Sequence, residues 1–205
     1  MFKYLNNMEL KNKLIIETGC ARTTDKYQAG TYYLSEAAHK QDASVISIDW
    51  NMMMIERAKE TLDHDNVEFP CAHTHDYLRF LISEGAVADF VYLDSANDRY
   101  VILTEFKLSL SIVEDGSIIC IDDYNADKCI LVEEYLQESG LEYEVYNNKL
   151  YLRITNDNLK EMGSTFETFY DKFDWGEINK TFREVQKQYE KDMICLYFGE
   201  EVPHE

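Results

Sequence analysis

Three aspartates stand where two apolar runs stop. DFVYLD (89–94) ends in Asp94, and about one helix later GSIICIDDYN (116–125) ends in Asp122 and Asp123. Carboxylates that converge repel one another unless a cation or protons neutralise them. A hard cation such as Mg²⁺ suits an all-oxygen set and keeps positions open for substrate oxygens. The same side chains could instead cap helices and pair with Arg99 or Lys128.

A second set lies upstream. In ETGCARTTDKYQAGT (17–31), Gly19 would let the backbone come close to a ligand. The next glycine is Gly30, so the short GxGxxG loop that cradles a pyrophosphate is absent. Glu17 would repel phosphate and suit an ammonium group. Asp49 ends the run SVISID (44–49), where a carboxylate can accept hydrogen bonds from ribose hydroxyls or cap the next helix. Cys71, His73 and His75 alternate; on a strand they would share a face, and thiolate with imidazole suits Zn²⁺. That spacing matches no metal motif, and polar strand-end residues are the plainer reading.

These residues need elements to position them. Apolar runs at 13–19, 44–49, 66–72, 88–94 and 116–122 predict strands. Helical patterns fill 31–40, 51–62, 75–84 and 98–114, with another near 127–138. Pro70 lacks a backbone donor and argues for an edge strand at 66–72. Strands that are continuously apolar are buried on both faces, which means a parallel sheet covered by helices. The β–α alternation predicts a doubly wound α/β fold with ligands at the carboxyl ends of the strands. All the carboxylates named above fall at those ends. LEYEVYNNKLYLRIT (141–155) reads as a closing antiparallel hairpin around Asn147-Asn148. Residues 156–205 read as a helical, acidic and aromatic extension. Phe166, Phe169, Phe173 and Trp175 would pack on the domain or on a second copy, or wall the acceptor pocket.

Composition narrows the partners. The 205 residues carry 39 Asp plus Glu against 20 Lys plus Arg, a formal net charge of −19. A field of that sign argues against nucleic acid and anionic membrane surfaces. No run is long and apolar enough to span a bilayer, and the first residues lack the apolar core of a signal peptide. Five cysteines without a CxxC pair suggest a reduced, cytoplasmic protein, with Cys71 and Cys120 as small hydrophobes in strands.

Together these features resemble class I S-adenosylmethionine-dependent methyltransferases: ExG at the first strand, Asp at the second, a closing hairpin and no pyrophosphate loop. YLDSANDRY (92–100) is similar to a segment of catechol O-methyltransferases, and ICIDDY (119–124) to metal-dependent sugar and macrolide O-methyltransferases. ETG-x-x-R at 17–22 resembles a subset of them. The resemblance covers 13–155 and implies a Rossmann-like, mostly parallel seven-stranded sheet. It implies that Glu17, Gly19, Gly30 and Thr31 cradle the methionine part of the cofactor. Asp49, with Trp50 beside it, would hold the ribose. Thr74, His75 or Asp76 would meet the adenine. Asp94, Asp122 and Asp123 would hold Mg²⁺, with Asp94 also bordering the cofactor. The position where these families carry a basic Lys or His is Asn97 here, and Asp98 follows it; the catalytic group is sought among Asp94, Asn97 and Asp98. The expected activity is O-methylation of a small hydroxylated acceptor. A methyltransferase-like binding or assembly protein is the alternative, favoured by Asn97. A nicotinamide-dependent oxidoreductase is opposed by the missing GxGxxG.

Overall fold

The computed structural model describes residues 2–5, 7–20, 23–25, 28–181 and 183–184. Arg22 of the ETG-x-x-R motif, Cys195 and the chain from 185 onward lie outside the described residues.

Five parallel strands form the centre: β1 Leu14–Thr18, β2 Ser44–Ile48, β3 Val67–Glu68, β4 Ala88–Leu93 and β5 Val113–Ile121. Helices α1 Gly30–His39, α2 Met52–Lys59, α3 Thr74–Ser83 and α4 Arg99–Ser109 connect them. A 3₁₀ turn, Asp127–Cys129, leads into α5 Ile130–Glu138. The hairpin β6 Glu144–Tyr146 and β7 Lys149–Arg153 closes the sheet, and α6 Asn156–Tyr170 follows. The strand order is β3-β2-β1-β4-β5-β7-β6, with β7 antiparallel to both neighbours. This is the expected doubly wound, seven-stranded α/β sheet.

Every residue of β4 is buried, as its unbroken apolar run requires. Asn147 and Asn148 both have positive φ, +50° and +58°, the backbone a two-residue hairpin turn demands. β3 is an edge strand, as Pro70 requires, but it is shorter than 66–72. Past Glu68 the chain leaves the ladder and returns only in an isolated bridge between Asp49 and Cys71. Cys71 is therefore exposed rather than buried, whereas Cys120 is fully buried in β5. Helix α4 stops at Ser109, short of the expected 114. Val113 is instead the first residue of β5, paired with Ala88, and Gly116 at φ +96° lets β5 bend before it resumes pairing at Ile118.

The chain divides into two compact units, Met1–Phe166 and Glu167–Glu205, with the break inside α6. In the second unit Trp175 stacks on Tyr170 with ring centroids 3.9 Å apart, and its indole N–H donates to the Tyr170 carbonyl at 2.7 Å. Among the described residues no helix is long and apolar enough to cross a membrane.

Candidate active site

Sheet register brings the strand-end residues to one level. Thr18 pairs with Ile48 on one side and Leu93 on the other, and Leu93 pairs with Ile121. The next residues along the four strands are Gly19, Asp49, Asp94 and Asp122. Four carboxyl ends thus finish in one row, as the parallel fold requires of a ligand crevice.

Gly19 has φ +80°, and a Cβ there would lie 2.6 Å from the Asp94 carbonyl oxygen. Only glycine lets the ends of β1 and β4 approach this closely. A Cβ on Gly30 would sit 3.3 Å from Glu17 Oε1 and 3.2 Å from the Tyr92 ring. Its absence leaves a bare patch of backbone beside the Glu17 carboxylate.

Glu17 is buried. Its Oε2 accepts from the Thr31 hydroxyl at 2.7 Å and the Ser47 hydroxyl at 2.5 Å. Burial pushes its carboxyl up to about 8, against the two hydroxyls that favour the ionised form. Asp49 is also buried. One oxygen accepts the Cys20 N–H at 3.2 Å and the other the Asn51 N–H at 2.7 Å. Asn51, not Asp49, caps α2, through the Met53 N–H. Trp50 lies against His73, with ring planes 13° apart.

The α3 end of the crevice depends on a residue the sequence reading missed. Glu105 on α4 is fully buried and accepts three hydroxyls. They come from Thr18 at 2.7 Å, Thr74 at 2.5 Å and Ser95 at 2.5 Å. It ties together the end of β1, the start of α3 and the loop after β4. The available signal was a glutamate on the apolar face of α4, between Ile102 and Phe106. Thr74 spends its hydroxyl here, and His75 Nε2 lies 3.3 Å from the Val101 carbonyl oxygen. Asp76 is exposed and pairs with Arg79.

The proposed zinc face does not form. His73 precedes α3 and His75 lies within it, so they do not continue a strand from Cys71. The Cys71 thiol meets the Trp50 carbonyl. Asp94, Asp122 and Asp123 are, among the described residues, the one group of potential metal ligands brought within 4.8 Å of one another. Asn97 is exposed. Asp98 caps α4, with one oxygen accepting from the Tyr100 and Val101 N–H groups.

Two buried lysines complete the aspartate cluster. Lys128, 1% exposed, donates to Asp94 Oδ1 at 2.7 Å and stands 3.5 Å from Asp123 Oδ2. Lys149, at the start of β7, donates to Asp122 Oδ1 and, at 3.0 Å, to the Tyr92 hydroxyl. Lys128 was legible as a possible ion-pair partner, but Lys149 was not foreseen. Burial raises the Asp94 carboxyl to about 6, with Lys128 pulling the other way. Burial also opposes ionisation of Asp122, but the hydrogen bonds from Lys149 and Tyr92, the Lys149 charge and the Asp123 backbone together outweigh it and hold that carboxyl below its usual range.

The oxygen set matches a hard cation in kind and spacing; the charges do not. Three carboxylates and two ammonium groups sum to −1, where the carboxylates alone would present −3. A divalent ion 4 Å from one ammonium is repelled by roughly 8 kcal/mol at an effective dielectric constant of about 20, which offsets the attraction of one carboxylate at the same distance. Lys128 and Lys149 therefore compete with a Mg²⁺ ion for the same carboxylate oxygens.

The architecture is that of class I methyltransferases. No protein-family model matches the sequence, and no curated protein matches it. Among solved structures, the O-methyltransferase TomG from Streptomyces achromogenes, involved in tomaymycin synthesis and in complex with SAM, superposes with a TM-score of 0.53. It is 20% identical, over 72% of this chain and 74% of that one. MycE methyltransferase from the mycinamycin biosynthetic pathway, in complex with Mg and SAH, gives a TM-score of 0.52 at 13% identity. It covers 73% of this chain, which spans only 46% of MycE. CalS11, a TDP-rhamnose 3'-O-methyltransferase of calicheamicin biosynthesis, gives 0.53 at 14% identity, over 68% and 70% of the two chains. At these identities the likeness is one of fold.

Proposed function

We propose that this chain transfers a methyl group from S-adenosylmethionine to a hydroxyl oxygen of a small molecule. The observation that carries this reading is the single row of Gly19, Asp49 and Asp94, with Glu17 and Gly30 beside it. It supports the reading because the fold is shared with TomG bound to SAM and MycE bound to SAH. MycE has also been solved with mycinamycin VI, in keeping with a small-molecule acceptor here.

When bound, S-adenosylmethionine supplies an electrophilic methyl group on a sulfonium. Asp49 keeps lone pairs beyond those used by Cys20 and Asn51, and these accept the ribose hydroxyls. Trp50 flanks that position. Glu17 serves the cationic amino-acid end across the bare backbone of Gly30; a cation there would draw its raised carboxyl towards the ionised form, with Thr31 orienting it. The backbone of Thr74 and the ring of His75 serve the adenine end. Asp94 accepts the acceptor's proton: it is ionised at neutral pH, and burial makes it more basic than a surface aspartate. Asn97 has no basic group, and Asp98 is engaged as a helix cap. The magnesium ion expected from the sequence is not carried into this reading, because Lys128 and Lys149 already compensate the carboxylates. The helical extension after the core is assigned to packing or dimerisation.

Asn97 favours a second reading, cofactor binding without turnover. Calorimetric titration with S-adenosylmethionine, using NADH as control, separates the classes. Saturable binding of S-adenosylmethionine alone is expected. Binding of neither would leave an assembly protein built on this fold, and binding of NADH alone would overturn the cofactor assignment.

A further inference from the structure

The feature that the methyl-transfer reading leaves unexplained is the pair of lysines. Buried lysines are rare, and each needs a partner to stay charged. Here the two divide one cluster of three carboxylates between them, Lys128 meeting Asp94 and Asp123 and Lys149 meeting Asp122, from different parts of the fold. Lys128 comes from the 3₁₀ turn after β5, and Lys149 from the antiparallel hairpin. Neither is a surface chain that has folded over an open site. Lys149 also lies against aromatic faces, its Nζ 5.0 Å from the Tyr92 ring centroid and 5.6 Å from that of Phe2. Asn148 fastens the hairpin turn to the loop after β5. Its carbonyl accepts from the Tyr124 N–H at 2.8 Å and its Oδ1 from the Asn125 N–H at 2.9 Å. Swinging either ammonium away would leave a partly buried carboxylate of the cluster uncompensated.

We propose that Lys128 and Lys149 take the place of a divalent cation, so that the cluster of Asp94, Asp122 and Asp123 is neutralised from within the chain and holds no metal ion. Its consequence for catalysis, turnover that survives chelation, rests on the methyl-transfer reading; ion binding can be measured without it. The geometry carries a second corollary. Removing one ammonium should uncover a cation site, because the remaining carboxylate oxygens are already gathered.

The test is calorimetric titration of the full chain with Mg²⁺ and Mn²⁺, without cofactor or acceptor, after treatment with chelator. The net charge of −19 will draw cations to the surface, so Asp94→Asn serves as the blank. The wild type should match that blank, and its melting temperature should not differ between chelator and millimolar Mg²⁺. Lys128→Met should bind Mn²⁺ at least about tenfold more tightly than the wild type, a difference of about 1.4 kcal/mol. Mg²⁺ should raise its melting temperature. Lys149→Met, on another element, repeats the measurement if Lys128→Met does not fold. Binding by the wild type about tenfold or more above the blank would overturn the proposal. So would a folded lysine variant that binds no more tightly than the wild type.

Discussion

The two halves of the crevice use the same residue type at equivalent places and neutralise it differently. On the β1–β2 side, Glu17 and Asp49 are satisfied by neutral donors: two hydroxyls for one, two backbone N–H groups for the other. On the β4–β5 side, the carboxylates are met by ammonium groups. Neutral donors bring no charge of their own, so a cationic ligand settling beside Glu17 would draw its raised carboxyl back towards the ionised form and would meet no competing ammonium group in the first half. Ammonium groups cancel most of the carboxylate charge, so the second half is a nearly neutral polar pocket. A cofactor with a sulfonium and an ammonium fits the first half, and an uncharged hydroxylated acceptor fits the second.

The contrast can be broken most severely at Lys128. Lys128→Met leaves the half-buried Asp94 carboxylate without its ammonium partner and should lower stability by about 3 kcal/mol in urea unfolding, the low end for a buried pair because Asp94 is partly solvated. Adding Asp94→Asn should recover part of the loss, since the two residues share one interaction. On the other side, Asp49→Ala removes an acceptor that also orders Cys20 and Asn51. Calorimetry should show S-adenosylmethionine affinity lower by roughly 1.5–3 kcal/mol, about 10- to 150-fold. Glu105→Gln keeps one oxygen acceptor for the three hydroxyls and should cost about 1–2 kcal/mol in thermal or urea unfolding. The finest test is pH. The Glu17 carboxyl is raised to about 8 in the folded chain, above its ordinary value of 4.5. Its contribution to stability is therefore complete below about 4.5 and is lost as pH rises towards about 8. Relative to Glu17→Gln, the wild type should lose up to about 1.4 kcal/mol per pH unit across that window and hold level above it. Parallel urea midpoints for the two proteins from pH 5 to 8 would show that Glu17 is ionised throughout.

The sequence yielded one half of this contrast better than the other. Asp94, Asp122 and Asp123 were legible because an apolar run ending in a carboxylate marks a strand end, and parallel strands end together. Pro70 at the edge and Asn147-Asn148 in a turn were legible because each rests on local backbone chemistry. Lys149 was not: it follows a turn, where a polar residue reads as solvated, and only pairing of β7 with β5 carries it inward. Glu105 was hidden for a similar reason, since helical spacing gives a face but not what lies opposite. The end of α4 was misread because Leu110, Ile112 and Val113 suit either a helix or the approach to a strand.

The ion pair between Lys149 and Asp122 has one further consequence, for strand alignment. β7 pairs antiparallel with β5, Leu150 opposite Ile121 and Arg153 opposite Ile118. Side chains alternate along a strand, so a slip of one residue would turn Lys149 to the opposite face and bring Leu150 towards the aspartates. The apolar residues of β7 could tolerate that shift, because the sheet is covered on both sides. The half-buried Asp122 carboxylate could not. The charge that completes the pocket thus also acts as a checksum on the last pairing of the sheet, and a chain with a mis-registered hairpin would carry its own penalty at the site it was meant to finish.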